Sequence, residues 1–87
     1  MENLTQRQKK LFYFLKAKLD SNAYFNNDEV VQSTYFRKGT FPTYQSKYLH
    51  SYVEVTKSSH KSYYKVKEGF KRVTELEFSD LLKQKKD

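Results

Sequence analysis

Leu11, Phe12, Leu15 and Leu19 return at spacings of one, three and four, the stripe of an amphipathic helix, with Gln8 and Lys16 adjoining it. The pattern predicts a first helix over about residues 4–19. The stretch "YFNNDEVV" then writes a helix start. With Asn26 as N-cap, Glu29 falls at the third helical position for a capping box, and Phe25 and Val30 flank the cap as a hydrophobic staple. A second helix follows over about 27–34. In "FRKGT", Gly39 is free to adopt a left-handed turn, and Pro42 suits the first turn of a new helix. A third helix is predicted over about 41–50. Its aromatic stripe, Phe41, Tyr44, Tyr48 and on to Tyr52, is spaced by three and four and is expected to face the core.

Downstream the rhythm changes from helical to alternating. "YVEVTKSSHKSYYKV" reads as two strands, about 52–56 and 62–66, with Val53, Val55, Tyr64 and Val66 inward and the polar turn "KSSHK" between them. Finally "VTELEFSDLLKQKK" repeats the start signal, with Thr74 as N-cap, Glu77 three residues on, and Val73 and Phe78 as the staple. A fourth helix over about 75–85 turns Leu81 and Leu82 inward and gathers Lys83, Lys85 and Lys86 in its last turns, where cations oppose the helix dipole. The fold class is mainly α with a small β hairpin (α+β), in one domain over 1–87.

Composition sets the scale of the core. A chain of 87 residues buries only about 60–65% of its unfolded surface. Its apolar content of 37% is concentrated in seven Phe and eight Tyr, which bury much area per residue. The absence of cysteine excludes disulfides and thiolate metal sites and fits a reducing cytosol. The longest apolar run, Leu11 to Leu15, is far short of a membrane span, and no secretory h-region opens the chain, so a cytoplasmic protein is expected. Fourteen Lys against three Arg point to a low-GC bacterium or its phage as the source.

Charge changes the picture most. The net charge is +7, and residues 1–36 and 73–87 contribute +1 and −1 by count of Lys and Arg against Asp and Glu. The whole excess lies in 37–72, where Arg37, Lys38, Lys47, Lys57, Lys61, Lys65, Lys67, Lys71 and Arg72 face only Glu54 and Glu68 in the count. Such a segment suits a polyanion, or serves solubility alone.

The order helix, helix, tight turn, helix, hairpin resembles that of the winged helix-turn-helix superfamily. The likeness is carried by residues 25–66: "FNNDEVV" as support helix, "RKGT" at the turn and "TFPTYQSKYL" where such domains carry the recognition helix. The resemblance implies a transcription regulator or other DNA-binding module that binds double-stranded DNA sequence-specifically. The third helix would lie in the major groove and the hairpin, as the wing, on the backbone. On the helix face opposite the aromatics stand Thr40, Thr43, Ser46, Lys47 and His50, short hydrogen-bonding and cationic groups suited to base edges and phosphate. Arg37 and Lys38 in the turn, and Lys57, Ser58 and Lys61 in the wing, suit phosphate contacts. A solvated helix face and a mobile hairpin tip are the plain alternatives. Two rival functions also stand: a protein-interaction or oligomerisation module, and a single-stranded nucleic-acid or RNA binder through Tyr35, Tyr52 or Tyr63. Tyr13 and Phe14, beside the first helix's core stripe, are candidates for a homodimer contact through the first or last helix.

Nothing in the chain points to catalysis, a metal or a cofactor. Its two His lack an acidic neighbour in sequence, and there is no nucleophile elbow or glycine-rich phosphate loop. Asp28 and Glu29 read as helix-start residues.

Overall fold

Thr5 opens the first helix. In the computed structural model, which describes residues 4–83, its hydroxyl accepts from the Gln8 amide at 3.1 Å, and the Gln8 side chain accepts from the Thr5 amide at 3.0 Å. This capping box sets α1 at Gln6–Ser21, two residues later than its pattern predicts, and leaves Leu4 outside the helix but buried. The expected second and last helices begin where their caps place them: α2 is Asn27–Thr34 and α4 is Glu75–Leu82. Asn26 accepts from the Glu29 amide at 3.0 Å, but the Glu29 carboxylate turns to Lys18, 3.0 Å away, and does not complete the box. At α4 the Thr74–Glu77 box is complete, with Val73 and Phe78 buried on either side. Its predicted extension to 85 falls partly on residues 84–87, outside the described residues, and with it the expected placing of Lys85 and Lys86.

The third helix is shorter than predicted. α3 runs Thr40–Lys47. Tyr48 and Leu49 both donate to the Tyr44 carbonyl, and the chain then coils through a turn in which Leu49 accepts from Tyr52 and Val53. The physical reason is burial. Leu49, fully enclosed, takes the core position expected of Tyr48, which with Tyr44 and Tyr52 is only half-buried. Nor is Gly39 left-handed, its φ being −86°. The left-handed residue that ends α2 is Tyr35, φ 63°.

Strands β1 (Val53–Ser58) and β2 (Lys61–Val66) pair antiparallel, Val53 with Val66 and Val55 with Tyr64. Ser59 and His60 close them with positive φ of 48° and 72°, a two-residue turn of the type whose twist matches a hairpin. Val53, Tyr64 and Val66 are buried as expected, whereas Val55, nearer the tip, is 43% exposed. An unpredicted isolated bridge joins them: Phe25 and Tyr64 exchange backbone hydrogen bonds of 3.0 and 2.7 Å, with their rings stacked at 5.7 Å. A 3-10 helix, Glu68–Arg72, also unpredicted, drives Phe70 into the core.

One cluster unites these elements. Phe25, Phe41, Phe70, Phe78, Leu11, Leu15, Leu49, Val30 and Val53 are almost wholly enclosed. No helix among the described residues is long and apolar enough to cross a membrane.

Candidate nucleic-acid interface

The predicted site residues lie on three consecutive pieces of backbone, each fastened differently. Arg37 and Lys38 are exposed in the connection between α2 and α3. The Asn27 side-chain amide donates to the Lys38 carbonyl at 2.8 Å, and the Thr40 amide donates to the Arg37 carbonyl at 3.1 Å. Asn27 carries no signal of its own in the sequence, because Asn26 beside it already accounts for the helix start. Its Oδ1 is buried with no hydrogen-bond partner among the described residues.

α3 is oriented by what it buries. Phe41 is fully enclosed, edge-on to Tyr64 at 4.9 Å, and the Gln45 side-chain Nε2 donates to the Val53 carbonyl at 2.8 Å. Helix and hairpin are thus joined at both ends of the helix. The opposite face exposes Thr43, Ser46 and Lys47, as its periodicity predicts. Thr40 is partly buried, and the Thr43 hydroxyl donates to the Gly39 carbonyl at 2.9 Å, leaving its lone pairs outward. His50 is exposed but belongs to the turn after α3, so the expected five-residue helical face reduces to Thr43, Ser46 and Lys47, with His50 beyond its end.

Lys57, Ser58 and Lys61 are exposed at the hairpin tip, Ser58 and Lys61 being the last cross-strand pair before the turn. A groove of about 380 Å³ brings Lys61 and Ser62 beside Pro42 of α3, the cap Asn26, and Asn27 and Asp28 of α2. It therefore links the start of α2, the start of α3 and the tip end of β2, whereas Ser46, Lys47 and His50 lie towards the other end of α3. Asp28 is the one acid in its wall.

The structure also divides the basic segment. Lys65, Lys67 and Lys71 line a cavity of about 580 Å³ with Asp20, Glu54 and Glu68, and Arg72 shares a groove with Glu77 and Asp80. These four cations share their grooves with acids, some from distant parts of the chain. Arg37, Lys38, Lys47, Lys57 and Lys61 are the cations of the α2–α3 turn, α3 and the hairpin tip, and from Val30 to Val53 the chain has no acid at all. The +7 of residues 37–72 is therefore not gathered around α3 alone.

The other expected contacts are plainly placed. Tyr13 is 55% exposed, and its hydroxyl donates to the Glu75 carboxylate; that bond first, then desolvation and the Glu75 charge, holds the phenol above its usual pKa. Phe14 is half-buried, edge-on to Phe25 at 5.2 Å. Among the described residues no three His, Cys, Asp or Glu side chains converge as a metal site. No family model matches the chain, and no curated protein or solved structure matches it either.

Proposed function

We propose that this is a winged helix-turn-helix module that binds double-stranded DNA without catalysis. α3 would lie in the major groove, with the turn and wing cations on phosphates. The observation that carries the reading is the outer face of α3. It exposes Thr43, Ser46 and Lys47, free of acid and of apolar side chains, on a helix held from behind by buried Phe41 and flanked by two basic loops. A protein-docking helix would present apolar anchors there. Short hydroxyls and a lysine instead suit base edges and phosphate oxygens.

The test is a titration of random-sequence duplex by fluorescence anisotropy over a range of salt. If each of the five cations neutralises one phosphate, log affinity falls against log salt with a slope of about −4 to −5, at roughly −0.9 per contact. Absence of duplex binding at about 50 mM salt, or a flat dependence, would sink the proposal.

A further inference from the structure

Two helices of this protein end on a left-handed residue, and they solve the problem differently. α1 ends on Asn22, φ 54°, a residue type that tolerates the conformation through its short polar side chain. α2 ends on Tyr35, φ 63°, where a bulky side chain is strained. Burial does not compensate, because Tyr35 is 66% exposed, more than any other aromatic of the described residues. A strained residue whose ring stands in water is placed for something outside the fold.

The surroundings of the ring state its chemistry. Lys10 Nζ lies 5.8 Å from the ring centre, over one face. Beside it runs a groove of about 600 Å³ between the first turns of α1 and the α2–α3 connection, with Arg7, Lys10, Tyr35, Phe36 and Tyr44 in its wall. Among the described residues, two cations and no acid line it. Arg7 stands in the first turn of a helix with no acid there, where the helix dipole disfavours a cation unless an anion arrives. Arg37, a turn cation of the proposed duplex face, is two residues from Tyr35, within about 7 Å of backbone.

We infer that this groove receives an unpaired nucleotide of a nucleic-acid strand, its base stacked on the Tyr35 ring and its phosphate held by Arg7 and Lys10. The inference rests on the nucleic-acid reading above and narrows the partner to a duplex with a single-stranded extension. The duplex lies on α3, and the tail enters the groove beside it. A stacked base suits an exposed tyrosine of any sequence context, because every base offers a π-face.

The experiment compares affinities for a blunt duplex, the same duplex with a short thymine tail, and the same duplex with an abasic tail that supplies phosphates without bases. The thymine tail is expected to tighten binding about tenfold, and the abasic tail less than about threefold. Tyr35→Ala and Tyr35→Gly remove the gain and leave the blunt duplex within about twofold, while Tyr35→Phe keeps it. Tyr35→Gly also relieves the left-handed strain, so it melts at or above the parent temperature, and its lost gain is not unfolding. A thymine tail no better than the blunt end or the abasic tail overturns the inference, as does a gain that survives Tyr35→Ala. If the blunt duplex does not bind, the duplex proposal fails by itself. The groove is then judged with a thymine oligonucleotide: binding lost in Tyr35→Gly upholds it, and no binding overturns it.

Discussion

The ammonium of Lys16 donates to the carbonyls of Phe70 and Lys71, both at 2.9 Å, and lies 5.1 Å from the centre of the Phe70 ring. A cation from the middle of α1 thus satisfies the end of the 3-10 helix and pins it over the core. Lys16→Met keeps the apolar stem and removes the donor. It is expected to cost about 1–3 kcal/mol, the usual size for stranding acceptors of a charge-assisted bond, measured by denaturant unfolding.

Stability should separate the sides of α3 and its following turn. Phe41→Ala is expected to cost about 3–5 kcal/mol and Leu49→Ala about 2–5, as for other enclosed side chains. Tyr48→Ala, half-buried, should cost less than either. Ser46→Ala and Lys47→Ala should leave the melting temperature nearly unchanged and weaken duplex binding; a stability loss comparable to that of Leu49→Ala would mean this face is not the outer one.

Turn and wing should position, and α3 should specify. Lys57 and Lys61 lie on an exposed tip suited to phosphates, whereas Thr43, Ser46 and Lys47 project from a helix locked by Phe41 and Gln45. Replacing both wing lysines by Ala should weaken all duplexes about equally and make the salt slope shallower by about one unit per lost contact. Lys47→Ala or Thr43→Ala should alter the motif selected from random duplexes. A wing variant that changes the motif while the helix variants keep it would exchange these roles.

The hairpin turn offers a gain. Ser59 and His60 both hold positive φ, which Asn and Gly adopt more cheaply. Ser59→Asn with His60→Gly should raise stability by about 1 kcal/mol, or about 4–8 °C in melting temperature for a domain of this size.

Alkali should loosen the structure through Tyr64. Burial raises its pKa above the ordinary tyrosine value near 10, so the folded state favours the neutral phenol. Its contribution is complete below the unfolded value, about 10, and is lost as pH climbs through the higher folded one. Tyr64→Phe should flatten the fall in stability above about pH 10 more than Tyr13→Phe does, because the Tyr13–Glu75 bond stands in water. Unfolding curves across that range decide it.

The elements whose signals are local were legible in the chain itself. Asn26 and Thr74 cap their helices because an N-cap and its target lie three residues apart, and α2 runs over the residues its sequence predicts. Alternation set the inward side of the hairpin at Val53, Tyr64 and Val66, and the helical period set Thr43, Ser46 and Lys47 on the outer face of α3. What tertiary structure decided was every competition between residues far apart. Leu49 displaced Tyr48 from the core and ended α3 early, since enclosing a leucine completely and starting β1 at Val53 outweighed another helical turn. Phe25 pairs in a β-bridge only because Tyr64, 39 positions later, presents its backbone. Lys65, Lys67 and Lys71 line a groove together with Asp20, an acid no local count places beside them. Charge summed along a chain is blind to which side of the molecule each cation reaches, and only packing assigns the sides.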